Sequence, residues 1–291
     1  MDDINQAQKE RLAHIDFRLY FLGIVGRIDL VTRFGIKEAA ATRDIALYRE
    51  LAGDNLNYDT KVKTYTVSSD FKPVFEYHAE RVLAALSQGY GDDIVSNQKG
   101  FLNCEIPSQL SKPDLDVLAT ITRAIYGKKV VSIEYRSLSS GFTSREIIPF
   151  SLVDNGLRWH IRAFDRRRSR FTDFVVTRVT APVILENHTV ADEEQSNFDN
   201  QWNRIVELEI VAHPRLKYKE TIEVDYCMTK GVMPLNVRAA VAGYLLRRWN
   251  IDCSAKAELV GAEYHLWLKN RQALYGVNNL VIAPGFEQDP L

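Results

Sequence analysis

The residues of this chain best suited to chemistry are arginines interleaved with aromatic and hydroxyl side chains between positions 135 and 178, and the chemistry they suit is holding an anion. In Arg170-Phe171-Thr172-Asp173-Phe174-Val175-Val176-Thr177-Arg178, a period of two puts Arg170, Thr172, Phe174, Val176 and Arg178 on one strand face. An arginine then stands at each end of a mostly apolar row. Residues 157–164 supply a neighbouring strand; with Trp159 and Ile161 turned to a core, His160 and Arg162 point the other way. Tyr135, Ser137 and Ser151 add hydroxyls. A guanidinium fork grips phosphate bidentately and an aromatic ring stacks a base, so a nucleotide or short oligonucleotide is the ligand class. His160 could make recognition pH-sensitive; the plainer reading is a surface strand histidine. Arg166-Arg167-Arg168 reads as a solvated turn rather than a pocket wall.

Bond-breaking chemistry has no such support. The sequence holds no GxSxG, P-loop, dinucleotide-binding glycine pattern or HExxH, so neither catalytic residues nor a cofactor are expected. Cys104, Cys227 and Cys253 are far apart, without CxxC spacing and odd in number; they read as buried thiols, and no metal site is expected. No apolar run approaches the roughly 18 residues of a membrane span, and the polar, acidic first ten residues are unlike a secretory signal, so the expected location is cytoplasmic and no membrane partner is expected. The 37 basic and 38 acidic residues nearly cancel, but their distribution is uneven: residues 126–180 carry 11 basic against 5 acidic, and residues 1–90 carry 12 against 13. That local excess fits an anionic ligand, or basic residues guarding strand edges.

Three helices and a hairpin are predicted ahead of this basic segment. Residues 7–25 and 27–34 are periodic and are broken by Gly35; residues 37–51 resume the pattern, with Ala41, Ile45, Tyr48 and Ala52 on one face. The opposite face carries Ala39, Arg43, Ala46 and Glu50, flanked by Thr42 and Arg49. Residues 56–67 form two short strands around Asp59-Thr60-Lys61, the shape of a wing. Taken alone, the third helix is an ordinary amphipathic core helix. Between a Gly-turned helix pair and a wing, it becomes a groove-reading helix, with Ala39, Thr42, Arg43 and Arg49 facing DNA and Lys61, Lys63 and Tyr65 supporting from the wing. A dimer on two half-sites is the expected arrangement.

Beyond it, residues 73–88 read as a helix, 89–111 as a loop-rich connector, and 115–126 as a helix capped by Ser111 with Pro113 in its first turn. Five strands follow at 130–137, 145–153, 157–164, 171–179 and 182–185, implying a small, strongly bent sheet. An acidic linker at 191–200 precedes a strand at 205–212, a turn region near 225–234, a helix at 237–249 and a strand at 257–267. The fold class is α+β and multidomain.

The segment Gly156-Leu157-Arg158-Trp159-His160-Ile161-Arg162-Ala163-Phe164-Asp165, followed by Arg170 to Arg178, resembles the signature of WYL domains, with Trp159-His160-Ile161 standing where that family has Trp-Tyr-Leu. Thr42-Arg43-Asp44-Ile45 resembles recognition helices of winged helix-turn-helix repressors. His213-Pro214-Arg215-Leu216, Asn236-Val237-Arg238 and Tyr244-Leu245-Leu246 resemble the C-terminal extension after many WYL domains. The resemblance implies a winged helix-turn-helix domain (1–75), a helical connector (76–125), an Sm-like five-stranded WYL domain (126–190) and a C-terminal α+β extension for dimerisation (201–291). It further implies a homodimeric regulator, a repressor of the type associated with BREX and CBASS phage-defence operons. The partner would be palindromic operator DNA, and an anionic nucleotide-like effector would bind Tyr135, Ser137, Ser151, Trp159, His160, Arg162, Arg170 and Arg178. A ligand-activated activator and a nucleic-acid-binding adaptor of a defence complex are the alternatives.

Overall fold

Glycines at positive φ punctuate the first helices. In the computed structural model, which describes residues 4–90, 101–102, 104 and 110–287, α1 (Gln6–Leu22) stops at Gly23, whose φ of 74° lets its N–H reach back to the Leu19 carbonyl. The helix expected over 7–25 is therefore shorter. Its tail becomes a strand, β1 (Ile24–Val25). Next come α2 (Arg27–Phe34), closed by Gly35 at φ 62°, and α3 (Glu38–Leu51). The wing is β2 (Leu56–Asp59) and β3 (Thr64–Val67), with β3 in the middle of a three-stranded sheet ordered β1-β3-β2. Leu12, Ile15, Leu19, Leu30, Ala41, Ile45 and Tyr48 form the core of this region. The chain divides into two compact units, Met1–Ile106 and Pro107–Leu291, and all of these elements lie in the first.

A buried carboxylate organises that first unit. Asp16, fully buried, accepts from the Tyr48 hydroxyl at 2.5 Å, the Tyr77 hydroxyl at 2.8 Å and the Val74 N–H at 3.1 Å. Three donors on one carboxylate answer its desolvation and tie the segment after the wing to α1 and α3. Asn55 adds two bonds to the Lys72 backbone. Val74 and Tyr77 of the non-helical stretch 73–78 serve this network, so the helix expected from 73 begins later, as α4 (Ala79–Gln88), and packs Val82 and Ala85 beside Phe17. Most of the connector expected at 89–111 lies outside the described residues.

In the second unit, α5 (Leu115–Gly127) is capped by Asp114, which accepts from the Asp116 and Val117 N–H groups; Ser111, the cap expected from sequence, bonds Thr177 instead. The stretch 76–125, expected as a connector, thus contributes one helix to each unit. An antiparallel sheet follows, β4 (Val131–Ser137), β5 (Gly141–Asp154), β6 (Trp159–Asp165), β7 (Arg170–Val175) and β8 (Val179–Ile184), in the order β7-β6-β5-β4-β8. A register shift between Pro149 and Ser151 bends the long β5, as a bulge does. Ile121 and Ala124 of α5 pack on Val131, Ile133, Ile147, Ile161, Ala163 and Phe174.

The C-terminal region of this unit comprises α6 (Asn200–Asn203), β9 (Ile205–Ala212), α7 (Lys219–Asp225), β10 (Met233–Arg238), α8 (Ala239–Arg248) and β11 (Leu266–Leu268). β9 is the central strand of a three-stranded sheet, and Ala239, Ala242 and Leu246 of α8 join its core. Gly243 is required there, because an added Cβ would lie 2.2 Å from the Asn279 carbonyl oxygen. The strand expected at 257–267 contracts to three residues, and β10 occupies the end of the turn region expected near 225–234 and the start of the helix expected from 237. Of the three cysteines expected to be buried thiols, only Cys253 is; Cys104 and Cys227 are exposed. Among the described residues no helix is long and apolar enough to cross a membrane.

Candidate nucleic-acid interface and ligand groove

One side of α3 is fixed and the other is free. Ala41, Asp44, Ile45 and Tyr48 are buried, while Ala39, Thr42, Arg43, Ala46, Arg49 and Glu50 are exposed. Asp44 departs from the apolar pattern for a clear reason: it accepts from Arg11 at 2.6 Å and from Gln8 at 3.0 Å, anchoring α3 to α1. The exposed start of the helix is tidy. Thr42 donates to the Glu38 carbonyl at 2.9 Å, and Arg43 Nε leans back to the Ala39 carbonyl at 3.4 Å, leaving its other guanidinium nitrogens outward. In the wing, Lys61 and Lys63 are exposed at the tip; Lys63 occupies the left-handed region at φ 54°. Tyr65 is half-buried, packed on Tyr58 at 5.0 Å and against the core, so its ring is a scaffold piece.

The expected effector residues do not form one set. Strand register, which a period of two cannot supply, decides the matter: Arg162 lies opposite Asp173, and Ile161 opposite Phe174. Arg162 therefore shares a face with Asp173, while Phe174 and Tyr135 line the inner core. Tyr135 is buried, packed edge-on to Phe174, and its hydroxyl accepts from the Val175 N–H at 3.2 Å. Ser137 accepts from the Ser139 and Ser140 N–H groups and builds the hairpin turn. Ser151 sits at the β5 bulge, its hydroxyl on the Leu152 carbonyl. Trp159, expected in the core, is 37% exposed at a strand end.

Arg178 is a further correction. β7 ends at Val175, and Val176–Arg178 is a single 3-10 turn, so Arg170 and Arg178 do not bracket one strand face. Arg166 of the basic turn is held by Glu194 at 2.6 Å and Glu146 at 3.1 Å, leaving Arg167 and Arg168 exposed.

Arg162 is buried and committed. Its Nε and Nη2 donate to Asp199 at 2.8 and 3.1 Å and its Nη1 to Asp173 at 3.1 Å. Burial works against its charge, but the bonds it donates to Asp199 and Asp173 outweigh that and hold it ionised above the usual arginine range. Asp173 also accepts from the Tyr244 hydroxyl at 2.8 Å, and His160 stacks on the Tyr244 ring. Burial lowers the His160 pKa, and the charge of Asp173 only partly restores it. Tyr244 of α8 therefore lies against the face of β6 and β7 opposite the core.

Beside this covered patch lies a groove of about 600 Å³. Phe164, Arg170 and Phe171 line it from the sheet; Asn200, Tyr244 and Asn278 line it from the C-terminal region. Of the eight expected effector residues, only Arg162 and Arg170 line it, and Arg162 is neutralised. The aromatic and amide residues around the groove were missed because they come from distant parts of the sequence with no shared spacing.

Three family models match the chain: the BrxR transcriptional regulator winged helix-turn-helix domain over residues 7–88, the WYL domain over 116–184, and the BrxR transcriptional regulator C-terminal dimerization domain over 205–274. Among curated relatives, the DNA-binding transcriptional repressor CapW of Escherichia coli strain KTE188 is 31% identical over 285 residues, covering 93% of this chain and 91% of the relative. The chain belongs to this family of WYL-domain winged helix-turn-helix regulators. CapW proteins of Stenotrophomonas maltophilia (32% identical, 92% of this chain, 91% of the relative) and Pseudomonas aeruginosa (31%, 92% and 90%) match over nearly the same extent. The WYL match includes α5, and the match to the winged helix domain includes α4. Within the family's architecture, α8 and Tyr244 belong to the region matching the dimerization domain, so the groove lies between two of its modules.

Proposed function

We propose that the chain is a homodimeric, operator-binding transcriptional repressor of a phage-defence or stress operon, whose DNA binding is modulated by a nucleotide-like effector held at the WYL domain. The observation that carries the reading is the two-sided α3: a buried side locked by Asp44, Ile45 and Tyr48, and an exposed side whose Ala39, Thr42, Arg43 and Arg49 are small or basic. Small residues let a helix seat deeply in the major groove, and arginine reads guanine or grips phosphate there. Lys61 and Lys63, exposed at the wing tip, would supply flanking phosphate contacts. Homodimerisation is supported by the match to a dimerization domain and would set two such helices on a palindrome. The effector part of the reading is supported by the groove beside Arg170.

Fluorescence anisotropy with the duplex upstream of the chain's own operon tests the central claim. Tight, palindrome-dependent binding that weakens roughly tenfold or more in Arg43→Ala is the expected result. Equal affinity for a scrambled duplex removes the repressor reading.

A further inference from the structure

The first unit holds a second cavity, of about 350 Å³, and none of its described lining residues belongs to α3. α1 supplies His14 and Arg18, α2 supplies Asp29, Thr32 and Arg33, and the rings of Tyr90 and Phe101 line it from beyond α4. Two guanidiniums set its electrostatics. Arg18, its side chain only 15% exposed, pairs through Nη2 with Asp29 at 2.9 Å and lies over the Phe101 ring; Arg33 lies over the Tyr90 ring, 3.3 Å from its centre. Asp29 has a further duty, since its other oxygen accepts from the Gly26 N–H at 2.7 Å at the start of α2. Its charge is shared between a helix end and an arginine. His14 is 4% exposed, and burial together with the charges of Arg33 and Arg18 keeps its ring neutral. Two nitrogens at this wall are buried without a hydrogen-bond partner, Arg18 Nε and His14 Nε2. The arginine nitrogen is always a donor; where the Tyr90 hydroxyl donates to His14 Nδ1, 2.9 Å away, the ring proton sits on Nε2 and makes a second. Buried donors call for an acceptor, and an oxyanion is the acceptor that also suits the positive charge. The exposed Thr32 hydroxyl, without a hydrogen bond among the described residues, adds a donor nearer solvent.

We infer that this cavity is a binding site for a small organic oxyanion, its charged head taken by Arg18 and Thr32 and its apolar part set beside Tyr90 and Phe101. A phosphate ester and a carboxylate present this same chemistry. The mostly buried Arg18 suits a free ligand better than a duplex backbone, which is met by side chains that reach outward. The site joins α1 to α2, the helix that leads through Gly35 into α3, so an occupant acts on the DNA-binding unit directly. It shifts operator affinity as far as it binds one setting of these helices better than another. None of this rests on the effector reading above.

The test is calorimetric titration of the full-length protein with phenyl phosphate and, separately, with benzoate, while hydrogen exchange locates the bound probe. At least one probe should bind and protect the α1 and α2 amides. Affinity should fall roughly tenfold or more in Arg18→Gln and by about threefold or more in Thr32→Val, the difference reflecting charged against neutral hydrogen bonds. Thr32 is exposed and valine nearly matches its shape, so this variant decides the matter even where loss of the Arg18–Asp29 pair impairs folding. Binding of phenyl phosphate alone identifies a phosphate ester and of benzoate alone a carboxylate; each satisfies the inference. It is overturned if wild type binds neither probe, if protection appears only on the WYL sheet, or if a folded variant binds as wild type does. Weaker operator binding in Arg18→Gln with no binding of either probe assigns the arginine to the duplex backbone, which overturns it as well.

Discussion

His160 lies flat against Tyr244, their ring centroids 5.0 Å apart and their planes 28° from parallel. A strand of the WYL sheet and a helix of the C-terminal region thus meet through one aromatic pair. The Tyr244 hydroxyl continues past the stack to Asp173, and Asp173 in turn bonds Arg162, so stacking, hydrogen bond and ion pair lie in series across the joint. Where the family signature has tyrosine, this chain has a histidine with a ring available for packing.

Removing only the end of that series isolates the hydrogen bond. Tyr244→Phe keeps the ring and the stack but leaves an Asp173 oxygen without its donor, a loss of about 1.5–3 kcal/mol for a hydrogen bond to a charged group. Hydrogen exchange of the β6 and β7 amides should accelerate in the variant while the α3 amides are unchanged. Unaltered protection on β6 and β7 would show that the joint does not depend on this bond.

Arg162 was expected to meet a ligand and instead bonds two carboxylates, whose second negative charge it leaves uncancelled. Arg162→Met should therefore destabilise the second unit by about 3–5 kcal/mol, since Asp199 would remain buried, and Asp173 half-buried, without their counter-charge. Asp199→Asn added to Arg162→Met should recover part of the loss. Thermal unfolding followed by calorimetry reads both; a single variant as stable as wild type assigns the arginine to a surface role.

Stability should fall on mild acidification. Burial, with the nearby charges of Arg33 and Arg18, lowers the His14 pKa from 6.5 to about 3, and burial also lowers that of His160. A histidine that must stay neutral in the fold gives full stability above its unfolded pKa. That stability is lost as pH falls below 6.5, because the unfolded chain takes up the proton first. For His14 the loss reaches about 2 kcal/mol at pH 5. Urea unfolding at pH 7.5 and pH 5 should show the drop, and His14→Gln should flatten it; the same slope in the variant would locate the effect elsewhere.

The wing lysines should act through phosphate. Lys61→Gln with Lys63→Gln is expected to lower the slope of log affinity against log salt by about 2, roughly one per lost phosphate contact, without changing which operator is preferred. Operator titrations over a range of salt concentrations measure this. An unchanged slope places the wing away from the backbone.

Much of the first unit could be read from sequence because its signals are local. Gly26 and Gly35 bound α2, and the inward set Ala41, Ile45 and Tyr48 repeats at helical spacing. The WYL strands were located to within a few residues for the same reason. What failed was pairing across strands: Arg170 and Arg178 share a parity that ceases to matter once Val176–Arg178 turns, and Arg162 finds its face only through the register that sets it against Asp173. The groove was invisible because Phe164, Asn200 and Asn278 are far apart in sequence and become neighbours only in the folded unit.

Arg43 and Asp44 are adjacent in sequence yet serve separate purposes, one exposed and one pinned to Arg11. Because the anchor side of α3 shares no residue with its exposed side, the residues proposed to read an operator can be rewritten without touching the mount that holds them. On the function proposed above, replacing Ala39, Thr42, Arg43 and Arg49 would change operator choice while leaving the buried mount of α3 in place.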